Sequence, residues 1–227
     1  MNVLVVVAHP DDEVLGVGGT AARLTQAGEQ VYILIIADGE SSRSNGDNLT
    51  RTAITVRASA AECAARVLGA RPPQLLGYPD NRLDSIPLLD IVKQVEAVIE
   101  ELGPEIIFTH HPYDLNIDHQ IVASAVMTAC RPVPNAIVRT IYAFETPSST
   151  EWTVTKTMNA FVPRRIVEIT STLSTKIAAL RCYHSEMRPF PHARSYEGVE
   201  ALARWRGVSA GFVAAEAFDI LREIIPI

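Results

Sequence analysis

"VVVAHPDDEVLGVGG", residues 5–19, opens as a buried strand and closes as a helix, and the reading of the fold depends on the turn between them. Residues 2–8 (NVLVVVA) and 31–37 (VYILIIA) are continuous apolar, β-branched runs, the pattern of parallel strands covered on both faces. Between them, residues 17–27 (VGGTAARLTQA) are Ala-rich and stop at Gly28, which predicts a helix with a C-terminal glycine. The three segments make a β-α-β unit.

The same alternation continues along the chain. A polar loop over 38–51 (DGESSRSNGDNLTR) leads into a helix over 52–68 that closes at Gly69, a short strand at 74–77 and a turn at 78–82. A helix over about 87–102 ends at Gly103-Pro104, and strand 105–109 (EIIFT) runs directly into HHPYDLNIDH. Helix 120–130, strand 138–144, strand 165–169 and a helix over 172–184 follow, and the tail 215–224 (AEAFDILREI) is spaced for an amphipathic helix. This order predicts an α/β fold with a mostly parallel sheet and helices on both faces, as one domain over 1–227.

Composition narrows the function. With 227 residues, 48% apolar and 20% charged, the chain can bury a sizeable core. A net charge of -6 and no long basic run give a nucleic-acid backbone little to bind. The opening apolar run is far short of the ~20 residues of a membrane span and lacks a signal peptide's basic start. The expectation is a cytoplasmic protein with a small-molecule substrate and no stable membrane insertion; a homo-oligomer is compatible with the sequence. Cys63, Cys130 and Cys182, odd in number and without a CxxC pair, read as small buried hydrophobes rather than disulfide partners or zinc thiolates.

Ligands of open α/β sheets bind at the carboxyl ends of the strands. AHPDDE follows the first strand and HHPYDLNIDH the strand at 105–109, so two motifs about a hundred residues apart are expected to meet at one sheet edge. A phosphate-binding Gly-rich turn fits poorly, since Gly16, Gly18 and Gly19 come after an acidic triplet that would repel a pyrophosphate. A helix N-cap accounts for one carboxylate, but not for His9 and a second acid. A metal accounts for all of them. His9 and Asp12, three apart on a tight turn, can face one ion, and His119 completes a His-Asp-His set with a fourth position for water. Asp11 would then lie near that water and take its proton as it attacks a carbonyl, the machinery of amide hydrolysis.

AHPDDE near the N-terminus with a distal motif ending in Asp118-His119 resembles the PIG-L/LmbE-like zinc de-N-acetylase family. The resemblance implies a Rossmann-like α/β domain and removal of acetyl from an N-acetylglucosamine-type amino sugar or sugar conjugate. By position it implies His9, Asp12 and His119 as ligands of Zn2+, Asp11 as general base and Glu13 as a brace for the loop. Fe2+ accepts the same ligands. Many relatives carry HPDH where this chain has Asn116-Ile117-Asp118-His119, and Asn116 can donate a hydrogen bond to an oxyanion but cannot supply a proton. The acid's role then falls to protonated Asp11 or to another histidine, of which His110 and His111 are the nearest in sequence. Asp118 could orient a ligand from behind, whereas Asp114 reads as a turn residue. Arg57 matches the family's substrate-contacting arginine, although Ala60 stands where its R-x-x-E pattern has Glu, and Asp80 matches a position near the sugar hydroxyls. The stretch 185–195 (SEMRPFPHARS) is either a rim that brings His192 and Arg194 to substrate or a plain connection. Two other functions remain open: a zinc amidase for another N-acyl small molecule such as an antibiotic intermediate, and a non-catalytic nucleotide or sugar-phosphate binding module.

Overall fold

Both faces of the first strand are buried, which is why its apolar run is unbroken. In the computed structural model, which describes residues 1–43, 48–154 and 159–225, β1 (Asn2–Val7) lies between β2 (Gln30–Ala37) and β4 (Ile106–His110), parallel to both. β3 (Gln74–Tyr78) extends the sheet beyond β2, and β5 (Thr140–Phe144) beyond β4, again in parallel. β7 (Ala215–Glu223) runs antiparallel to β5 and pairs with β6 (Arg165–Glu168), giving the order β3-β2-β1-β4-β5-β7-β6.

Alternate residues of β1 serve two cores. Val3, Val5 and Val7 pack with α1 (Asp12–Gln26), α2 (Asn48–Leu68) and α5 (Leu173–Cys182). Leu4 and Val6 face the other way, onto α3 (Leu88–Leu102) and α4 (Ile117–Ala129). A sixth helix, α6 (Tyr196–Val208), leans on β7. Because α1 leaves β1 on one face and α4 leaves β4 on the other, the strand order reverses between β1 and β4. A crevice opens there at the carboxyl ends of the strands, which is where such folds bind ligands. No helix among the described residues is long and apolar enough to cross a membrane.

Four expectations need correction. The helix expected from residue 17 starts at Asp12, because Asp11 adopts φ 116°, ψ -27° and turns the chain sharply out of β1. Asp12 and Glu13 then occupy the first helical turn, where the helix dipole favours negative charge. The glycines that follow serve packing: a Cβ on Gly16 would strike the Phe144 ring, and one on Gly19 would come within 2.6 Å of Ile169. The tail is strand β7, not a helix, since the free edge of β5 pairs its backbone and Phe218 inserts beside Phe108 with ring centroids 4.9 Å apart. Tertiary pairing overrides the local helix pattern there. Cys63 of α2 and Cys182 of α5 form a disulfide, with Cα atoms 5.9 Å apart, while Cys130 is buried and free. The loop expected over 38–51 shortens to a turn at Ser41–Arg43 before α2 begins at Asn48; its residues 44–47 lie outside the described residues.

Candidate active site

The turns after β1, β2, β3, β4 and β5, one residue of α2 and the stretch after α5 converge on the crevice. The strained backbone at Asp11 is held by its neighbour, for the Asp11 N–H donates to Glu13 Oε2 at 3.0 Å while Tyr183 donates its hydroxyl to Glu13 Oε1 at 2.6 Å. Burial pushes the Glu13 carboxyl up to about 8. Glu13 is thus the brace expected of it.

Asp12 occupies the centre. Its Oδ2 accepts the His9 backbone N–H at 2.9 Å and lies 3.3 Å from both His9 Nδ1 and His119 Nε2. Burial raises the Asp12 carboxyl, but the His119 and His110 imidazoles outweigh it and hold it well below the usual range. Oδ1 is buried and has no hydrogen-bond partner among the described residues. A buried carboxylate oxygen left unpaired is costly, and a cation held with two imidazoles is the natural partner for it. Ligand atoms of His9, Asp12 and His119 all lie within 4.8 Å of one another, so these three residues can share one ion. His9 Nε2 points away from that point, 3.1 Å from Asp80 Oδ1 and 3.1 Å from Asp118 Oδ2.

A cavity of about 160 Å³ opens over this centre. Wider grooves of about 370 and 460 Å³ exist elsewhere, but they lack converging acids and histidines, so chemistry rather than size marks the site. Asp11, Arg57, Asp80, Asn116 and Arg194 all line the cavity beside His9 and His119. Burial raises the Asp11 carboxyl, opposed chiefly by Arg194, whose Nη1 is 3.1 Å from Asp11 Oδ2. Arg57 is buried and packed with acids: Nε reaches Glu40 at 2.9 Å, Nη2 reaches Glu186 at 2.7 Å, and Nη1 lies 3.8 Å from Asp11. Burial opposes the ionised Glu186, but Arg43 and Arg57 bring its carboxyl down to about 2.

The two histidines offered as replacement acids stand outside the cavity lining. His110 Nε2 accepts the Ala8 N–H at 2.9 Å and its ring stacks on His119, while His111 Nε2 meets the Asn159 carbonyl at 3.0 Å. Asn116 lines the cavity and caps α4, its Oδ1 accepting the Asp118 N–H at 2.8 Å, while its Nδ2 donates to Asn81 Oδ1 at 3.3 Å. His192 also lies outside the lining; its Nδ1 accepts the Arg194 N–H at 3.0 Å.

The profile of the PIG-L family, described as GlcNAc-PI de-N-acetylase, matches residues 4–130, which carry both motifs of this centre. The chain belongs to the PIG-L family. Deacetylases of the PIG-L family are metal-dependent, in keeping with the His-Asp-His group. A similar protein of Bacillus cereus, a probable N-acetyl-alpha-D-glucosaminyl L-malate deacetylase 2, is 27% identical over 90% of this chain and 93% of its own. Among solved structures, the N,N'-diacetylchitobiose deacetylase of Pyrococcus horikoshii aligns with TM-score 0.77 and 23% identity, covering 97% of this chain and 84% of its own. The 4-carboxy-2-hydroxymuconate hydratase GalB of Pseudomonas putida aligns with TM-score 0.79 and 23% identity, covering 100% and 98%. One PIG-L-like fold therefore accompanies two reaction names, and function has to be argued from the site.

Three residues of the centre escaped the sequence reading of roles. Glu186 lies within 185–195 beside the more conspicuous His192 and Arg194, Glu40 lies in the polar loop after β2, and Asp114 has the local sequence of a turn residue, PYDLN.

Proposed function

We propose that this PIG-L family protein is a metal-dependent hydrolase that cleaves the acetamide of an N-acetylated amino sugar or sugar conjugate, releasing acetate and a free amine. The observation that carries the proposal is the buried Asp12 carboxylate, whose Oδ2 lies 3.3 Å from two imidazoles and whose Oδ1 has no partner among the described residues, with His9 and His119 lining a cavity that Asp11 also lines. The deacetylase names of relatives such as the Bacillus cereus protein support the same reaction. His9, Asp12 and His119 would hold the ion, and Zn2+ suits a two-histidine, one-carboxylate set. When bound, the ion polarises the amide carbonyl and lowers the pKa of a coordinated water to about 7.

The chain's own groups do the rest. Asp11 accepts the proton of the attacking water and returns it to the departing amine, a dual role suited to a carboxyl whose affinity for protons burial has raised. Asn116 offers the oxyanion the amide hydrogen that it does not give to Asn81 Oδ1, since its carbonyl is committed to the α4 cap. Arg194 and Asp80 line the walls and offer a cation and an acceptor to sugar hydroxyls. Arg57, saturated by Glu40, Glu186 and Asp11, holds the walls of the cavity together rather than offering free donors. Asp118, anchored by the backbone N–H groups of Asn81 (2.8 Å) and Leu83 (3.0 Å), orients His9.

The test is to incubate the zinc-loaded protein with a panel of N-acetylated sugars and glycosides and to quantify acetate and new primary amine in equal amounts. Stoichiometric release from at least one amino sugar is expected. Release only from N-acyl compounds without a sugar would replace the substrate class, and no release from a zinc-loaded protein would contradict the proposal.

A further inference from the structure

We propose that Asp114 is a positioning residue that sets the tautomer of His119, so that the two ligating histidines present opposite ring nitrogens to one ion. The inference rests on the metal reading above and extends it to a residue whose local sequence, PYDLN, looks like a simple turn.

The hydrogen bonds around Asp114 leave little choice. The residue is fully buried. Its Oδ1 accepts the Asn116 backbone N–H at 2.9 Å and the Ser149 hydroxyl, and its Oδ2 accepts the Thr150 hydroxyl at 2.5 Å. Its own carbonyl accepts from Gln120 Nε2 at 2.6 Å, which ties the loop to α4. A carboxylate surrounded by donors accepts only, so His119 Nδ1, 3.1 Å from Oδ1, has to carry the hydrogen. Nε2 is then left with its lone pair, and it is Nε2 that stands 3.3 Å from Asp12 Oδ2.

His9 is arranged in the opposite sense. Its Nε2 faces the oxygens of Asp118 and Asp80, each at 3.1 Å, and Asp118 is itself committed as an acceptor to two backbone N–H groups. Nε2 therefore carries the hydrogen on His9, and Nδ1 faces Asp12. The plane of the His119 ring is fixed from a third direction, by the His110 ring stacked on it with centroids 3.8 Å apart and 12° between planes. His110 cannot compete for the ion, because its Nε2 lone pair is taken by the Ala8 N–H. Such partners behind a ligand commonly change metal affinity by about 10- to 100-fold when removed.

The deciding experiment reads nitrogen rather than turnover. In zinc-loaded protein with 15N-labelled histidine, long-range proton–nitrogen spectra should show hydrogen on Nδ1 of His119 and on Nε2 of His9. Asp114→Asn should weaken the Zn2+ affinity, measured by chelator competition, by about 10- to 100-fold and blur the His119 tautomer. Ser149→Ala with Thr150→Val keeps the carboxylate but loosens it, so a smaller loss with the tautomer kept is expected, and this variant serves if Asp114→Asn does not fold. Hydrogen on Nε2 of His119 in the wild type, or a folded Asp114→Asn protein with unchanged Zn2+ affinity, would overturn the assignment while leaving the deacetylase reading intact. A protein that takes up no Zn2+ would overturn both, whereas correct tautomers in a protein that releases no acetate would sink only the proposed reaction.

Discussion

Arg194 Nη1 stands 3.1 Å from Asp11 Oδ2, an ion pair that spans 183 residues of sequence. It joins the turn after β1 to the stretch after α5, and with Arg57 and Glu186 it builds one wall of the cavity from segments that share no local sequence logic. The pair also places a cation beside the carboxylate that the proposed reaction uses as its base.

Replacing that base tests its role separately from its position. Asp11→Asn keeps the side chain's size and should lower kcat by about 10²- to 10⁴-fold, the usual contribution of a general base, with zinc content near wild type. Activity assays paired with metal analysis check it. An inactive variant that had also lost its zinc would make Asp11 a ligand instead.

Removing the cation should move the pH profile in a defined direction. Burial raises the Asp11 carboxyl and Arg194 pulls it back, so in Arg194→Ala the carboxyl rises further and stays protonated to higher pH. A base must be deprotonated to act. The acid limb of kcat/KM should therefore shift to higher pH in the variant, and an unmoved limb would mean that Arg194 does not govern Asp11.

Glu186 links acid stability to the same wall. Its folded carboxyl, at about 2, lies below its ordinary value of 4.5, so the ionised form stabilises the folded state at neutral pH. That contribution is present above about 4.5 and is lost as the pH falls from there towards 2. Denaturant titrations of wild type and Glu186→Gln should differ most near pH 7 and converge in the acid. A constant difference across this range would contradict the assignment.

Asn116 is where the chain departs from the HPDH pattern of many relatives. Asn116→His should fold, retain zinc and keep or raise kcat, because a protonatable ring would replace the amide of this cavity-lining residue. It gives up the cap on the Asp118 N–H, so a stability loss of about 1 kcal/mol is expected by thermal or denaturant unfolding. A folded, zinc-loaded but inactive variant would show that the amide itself is required.

Much of this was legible in the sequence, for a physical reason. Parallel strands buried on both faces write continuous apolar runs, so β1, β2 and β4 can be read locally, and the rule that ligands sit at strand ends then brings His9 and Asp12 to His119. What stayed hidden depends on contacts distant in sequence. β7 resembles a helix until the edge of β5 is there to pair it. Cys63 and Cys182 look unrelated across 119 residues until α2 packs on α5. Asp114 makes the same short-range bond to the Asn116 N–H that any turn aspartate makes; only the fold reveals His119, Ser149 and Thr150 around it.

The most direct test of the account is a diffraction experiment on zinc-soaked crystals, with anomalous data collected on both sides of the zinc edge. One anomalous peak is expected, bonded to His9 Nδ1, to Asp12 and to His119 Nε2. A protein that binds zinc at the other side of the His9 ring, between Asp80 and Asp118, or that shows no peak within reach of these side chains, would contradict it.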